Sequence, residues 1–196
     1  GKKTEPNYFN ALKRKFRSKT ATIDIDDKSD STPISVVKYA INKAKQNPES
    51  YDIIYCVIDR DRHNDFAKAL DKIPKTKKYG SKFYIILSVP CFEFWLLLHF
   101  AYTTKNFYAQ GEQSPCENLI TTELKKYLPK YAKNYKDFSK IITDENLDKA
   151  IKTAKQICKS LDINNSEDKE ILKYFINEKK SFTNAFLVVE KFKEIS

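Results

Sequence analysis

Residues 51–65 read YDIIYCVIDRDRHND, a mostly apolar run that ends abruptly in alternating charges. The run from Tyr51 to Ile58 is short and rich in β-branched and aromatic residues, which suits a central strand buried on both faces of a parallel sheet. Its polar end sets Asp59 and Asp61 at the carboxyl edge of that strand, where open parallel sheets gather their chemistry. In extended chain, residues i and i+2 point the same way about 7 Å apart. A slight bend therefore lets Asp59 and Asp61 face one point. Two carboxylates so close repel, and one takes a proton unless a cation sits between them. Mg2+, or Mn2+, is the natural cation, because it is hard and held by one or two carboxylates with waters left over for a phosphate. Arg60 and Arg62 then face the other way or flank that phosphate. The competing reading of the same spacing is a loop with solvated acids. His63 caps the next helix, lies on the surface, or contacts a proton or phosphate; Asp65 reads as a first-turn acid on that helix.

Outward from this stretch the chain alternates. A helix is expected from about Pro6 to Arg17, where Tyr8, Phe9, Leu12 and Phe16 recur at helical spacing. TATIDI, residues 20–25, alternates as a strand does, and Val36, Val37, Ala40, Ile41 and Ala44 form a second helix stopped by Asn47 and Pro48. After the strand at 51–58, a helix from about Asn64 to Ile73 and a lysine-rich loop with Gly80 lead to a strand at 82–88. The apolar run VPCFEFWLLLHFAY follows at once as a buried helix. Such βαβα order predicts an α/β fold, a parallel sheet with helices on both faces. From about Pro115 onward three helices are expected, with no strand of comparable strength between them. The division is a core over residues 1–105 and a helical extension over 106–196 packed on it.

Composition narrows the chemistry. The chain of 196 residues carries a net charge of +10, almost all of it from lysine, since arginine occurs only at 14, 17, 60 and 62. That charge is either an electrostatic footprint for nucleic acid or simply a lysine-rich surface. The run at 89–102 is too short for a bilayer and contains Glu93 and His99, so no membrane span is expected. Cys56, Cys91, Cys116 and Cys158 lack the spacing of a zinc module or a disulfide framework, which fits a reducing cytoplasm, and three of the four sit in apolar patterns as small core residues. Gly1, Gly80 and Gly111 are the only glycines, too few for a dinucleotide fingerprint or a P-loop. Neither histidine accompanies a nucleophile elbow, which excludes the common acyl-transfer sets.

Three segments carry a resemblance: KKTEPNYF at 2–9, VIDRDRH at 57–63 and PCFEFWLLLHF at 90–100. Together they resemble the RloB-like family of phage-defence proteins, well over residues 1–100 and loosely beyond. The resemblance implies a TOPRIM-like fold, in which a glutamate near the first strand and a DxD after a later strand surround a divalent metal. Asp59 and Asp61 match the DxD. Gly1, Thr4 and Glu5 match a Gly-x-x-Thr-Glu pattern, which makes Glu5 a further metal-side acid, and the pattern also implies a leading strand with its own glutamate ahead of Gly1. Also implied are nuclease activity as an abortive-infection effector, an ABC-type ATPase partner, and homo-oligomers as one possible state.

Glu93 lies within the apolar helix, where an unpaired carboxylate costs several kcal/mol. It is either paired in the core with a helix-start amide or a hydroxyl, or placed at the sheet's carboxyl edge as a catalytic acid; the resemblance favours the latter. His99 and Trp95 are expected in the core. The leading expectation is thus a Mg2+-dependent nuclease with catalytic Glu5, Asp59, Asp61 and Glu93, and with Arg60, Arg62 and His63 on RNA or DNA. The alternative is a non-catalytic subunit of the same shape that binds nucleic acid or docks on the ATPase.

Overall fold

The computed structural model describes residues 3–30, 32–60, 65–163, 172–173 and 179–196. Helix α1 (Thr4–Phe16) starts two residues before the expected Pro6 and turns Tyr8, Phe9 and Leu12 into the core. Helix α2 (Pro33–Gln46) begins where the sequence permits it. Pro33 occupies the first turn and the Thr32 hydroxyl accepts the Ser35 amide at 3.3 Å, a cap worth about 1 kcal/mol. Asp65 does not cap its own helix; its Oδ2 accepts the Ile34 amide of α2 at 3.3 Å. The first-turn role expected of Asp65 is therefore served on a neighbouring helix.

Strand β1 (Ile53–Asp59) pairs in parallel with β2 (Lys82–Val89), from Ile53 opposite Lys82 to Asp59 opposite Ser88. Helix α3 (Phe66–Lys72) lies between them in the chain, so this is the expected βαβ unit. Two expectations need correction. Residues 20–25 form no strand: Ile23 and Ile25 lean on the core, while Asp24 and Asp26 are tied by Lys43, and Tyr39 donates to Asp26 at 3.0 Å. Alternation marks any extended chain with one apolar side, and here side-chain tethers take the place of a ladder. The sheet, moreover, is mixed. Phe182 and Thr183, placed in a helix by their apolar neighbours, form β3 and pair antiparallel with Val89 and Ser88. Among the described residues the sheet has three strands in the order β1-β2-β3, and its parallel part is the β1–β2 pair.

Helix α4 (Glu93–Leu98) is buried along its whole length, with Phe94, Trp95, Leu96 and Leu98 at 0% exposure. Trp95 and His99 are core residues, as expected. Helix α5 (Pro115–Leu119) opens with a capping box between Ser114 and Glu117 and runs on through a π-helical turn (Ile120–Leu124). Helix α6 (Asp144–Ser160) covers α4, and α7 (Phe186–Glu194) closes against α1 and α6. No helix among the described residues is long and apolar enough to cross a membrane.

Candidate functional site

The parallel ladder runs to the ends of both strands, because the Arg60 amide donates to the Ser88 carbonyl at 3.2 Å just past Asp59. Beyond Ser88 the chain passes through Val89 and Pro90 into the first turn of α4, which carries Glu93. Asp59 and Glu93 therefore leave the same carboxyl edge from neighbouring strands. Arg60 follows with its side chain partly buried. Asp61, Arg62 and His63 lie outside the described residues.

Glu93 is 3% exposed. Its Oε1 accepts the Tyr131 hydroxyl at 2.8 Å, the hydroxyl partner that a buried carboxylate at this position requires. Its Oε2 lies 3.4 Å from the sulfur of Cys116, which is bonded to Cys91 and so has no proton to give. Burial pushes the Glu93 carboxyl above its ordinary range and the carboxylate of Glu5 pushes it further, while Tyr131 and the charge of Lys133 pull the other way. Glu5, in the first turn of α1, is 5% exposed. The Tyr131 phenol is in turn raised by burial and by the charges of Glu93 and Glu5, against a lowering contact from Thr4. The Thr4 hydroxyl reaches the Tyr131 oxygen at 3.2 Å and donates to the Lys133 carbonyl at 3.1 Å. The first turns of α1 and α4 and the segment 131–133 thus meet in one buried polar cluster. Glu5 also lines a groove of about 620 Å³ that runs beside β1 past Cys56 and Val57.

The structure brings Glu5 and Glu93 together and puts Asp59 on the edge of the sheet from which Glu93 departs. Sequence reasoning missed Tyr131 and Lys133. They sit in YLPKYAKNY, a stretch whose aromatic and basic residues resemble many others in the chain, so no local signal marks them. It also missed the cysteine pairing. The expectation that the cysteines form no disulfide framework is corrected by the Cys91–Cys116 disulfide, whose partners are 25 residues apart; Cys56 and Cys158 are free and buried, with burial raising both thiols to about 12.

His99 belongs to the packing beneath this cluster. Its Nδ1 faces the Trp95 carbonyl at 2.9 Å, which can only accept, so Nδ1 carries the proton and Nε2 accepts the Tyr8 hydroxyl at 3.0 Å. Burial lowers its pKa from the ordinary 6.5 to about 4. The unfolded chain therefore binds the proton first as the medium is acidified. The stability this contributes is complete above about pH 6.5 and is lost as pH falls toward 4, an amount of about 3 kcal/mol. Urea unfolding across that range should show this loss, and His99→Gln, which has no such proton to gain, should lose less stability over the same range by about that amount.

A family model described as RloB-like protein matches residues 1–192 of the chain. No curated protein and no solved structure matches it.

Proposed function

The chain belongs to the RloB-like family, and on that premise we propose that it is a metal-dependent nuclease of TOPRIM-like architecture that acts as a phage-defence effector. One observation carries the reading: the charge of buried Glu5 raises the carboxyl of buried Glu93, which leaves the carboxyl edge of the sheet where β1 ends in Asp59. Such an arrangement is costly unless a proton or a cation is present. Glu5, Asp59 and Asp61 offer carboxylate oxygens, the set that suits a hard cation. Glu5, Asp59 and Asp61 would hold Mg2+ or Mn2+, which when bound polarises a phosphodiester and activates water.

The protein's own residues divide the remaining work. Glu93, its carboxyl pushed up by burial and by Glu5, keeps a proton to a higher pH than a solvated glutamate does, as the acid that protonates a departing oxygen must. Tyr131 fixes its direction. Arg60, Arg62 and His63 bind the phosphates on either side, and the lysine-rich surface follows the strand in a salt-dependent way. An ABC-type ATPase is the expected partner, with homo-oligomers as one possible state.

A second reading rests on Glu93 itself: Oε1 is taken by Tyr131 and Oε2 faces a disulfide sulfur, as in a carboxylate with a purely structural duty. On that reading the chain is a non-catalytic subunit that binds nucleic acid or docks on the ATPase. The two separate on a simple experiment. Mn2+ or Mg2+ at millimolar concentration should raise the melting temperature by several degrees and support cutting of labelled RNA, tRNA or DNA. No shift and no cutting with either cation favours the docking subunit.

A further inference from the structure

The Cys91–Cys116 pair lies against Glu93, and the three side chains form a group of metal-ligating type. Cys91, Glu93 and Cys116 are 1%, 3% and 1% exposed. One donor atom from each lies within 4.8 Å of the other two. We propose that in the reduced chain these three residues hold one thiolate-seeking divalent cation of the zinc class, and that the disulfide is the oxidised, cation-free form of the same site.

Zinc takes thiolate sulfur at about 2.3 Å and carboxylate oxygen at about 2.0–2.2 Å, so a tetrahedral cation holds one of each about 3.6 Å apart. Glu93 Oε2 already stands 3.4 Å from the Cys116 sulfur. Two thiolates on one such cation are about 3.8 Å apart, a separation that side-chain rotation reaches from backbones whose Cα atoms are 5.7 Å apart. Tyr131 holds the other oxygen of Glu93 and so turns Oε2 toward the sulfurs, as an outer partner does for a metal-bound carboxylate. Three protein donors leave a fourth position for water. Two sulfurs and one oxygen select zinc, whereas the all-oxygen set of Glu5, Asp59 and Asp61 suits magnesium. The proposal touches the nuclease reading only at Glu93, which a bound cation would remove from proton transfer; the site stands whether or not the chain cuts nucleic acid.

Opening the site breaks the Sγ–Sγ bond by exchange with a cellular dithiol, which supplies two electrons and two protons and leaves as its own disulfide. On binding, the cation takes both thiolates and the two thiol protons pass to solvent.

The test uses the whole chain, reduced with a dithiol, freed of it under anaerobic conditions and titrated with Co2+ and then Zn2+. One equivalent of cobalt should give sulfur-to-cobalt charge-transfer absorption, and one equivalent of zinc should erase it. The oxidised protein should give none. Zinc should also protect Cys91 and Cys116 from a maleimide. Cys91→Ser with Cys116→Ser should abolish the absorption, Glu93→Gln should weaken cobalt binding by about 10-fold or more, and Asp59→Asn should leave it unchanged. A reduced protein with an unaltered far-ultraviolet spectrum that takes up no cobalt overturns the proposal, as does absorption that survives the double serine variant. Should that variant fail to fold, the wild-type thiols decide: zinc that leaves both open to the maleimide overturns it equally.

Discussion

Asp59→Asn, alone or with Asp61→Asn, is expected to lower Mg2+- or Mn2+-supported cutting of nucleic acid by more than about 100-fold and to remove the rise in melting temperature given by either cation. The magnitude follows from comparison. Losing a group that merely orients a metal ligand costs about 10–100-fold in affinity or activity, so losing a ligand's charge costs more. Asparagine keeps the shape of the side chain at the end of β1, opposite Ser88, so the ladder and the melting temperature without cation should stay close to those of the parent. Removing one negative charge from an edge that also gathers Glu93 relieves repulsion rather than adding to it. Cutting that persists in Asp59→Asn, measured on the same labelled substrate at the same cation concentration, ends the nuclease reading. A shift in melting temperature that persists with it would move the cation away from Asp59.

How much of this was legible in the sequence depends on how local each signal is. The β1–β2 pair was readable because its apolar runs are continuous, and α2 because Val36, Val37, Ala40, Ile41 and Ala44 recur at helical spacing. Helix α4 was readable as buried, and so was a hydroxyl partner for Glu93 in the core, which Tyr131 supplies. The rest depends on residues far apart in the chain. Tyr131 reaches Glu93 across 38 positions, and Thr4 reaches Tyr131 across 127. Cys91 and Cys116 are joined only because α5 folds back on the turn before α4. Residues 20–25 misled for the opposite reason, a clear local pattern without a partner strand to use it. The two-residue strand β3 is too short for any periodicity to exist.

Asn184 shows how such a short strand is held, and replacing it should produce the largest loss of stability outside the aromatic core. Its backbone amide donates to the Leu87 carbonyl at 3.2 Å, extending the pairing begun by Phe182 and Thr183. Past that point its side chain takes over the duty of a strand: Oδ1 accepts the Leu87 amide at 2.6 Å and Nδ2 donates to the Ile85 carbonyl at 3.1 Å. One side-chain amide thus satisfies two backbone groups on the edge of β2 that would otherwise face a dry interior, for Asn184 is 0% exposed. Leaving a buried donor or acceptor unmade costs about 1–3 kcal/mol each, so Asn184→Leu, which fills the space without the polar atoms, should cost about 2–6 kcal/mol. At about 2–4 °C for each kcal/mol in a chain of this size, the melting temperature should fall by roughly 5–20 °C. Asn184→Asp keeps the acceptor for Leu87 but offers no donor to Ile85, and it places a carboxylate in a dry interior beside that carbonyl, so it should fall at least as far. Because β2 leads directly into the turn that carries Glu93, cation binding should weaken in step with stability in both variants. A melting temperature within about 2 °C of the parent for Asn184→Leu would mean that these two backbone groups find other partners, and that β3 is not what fixes the far edge of the sheet.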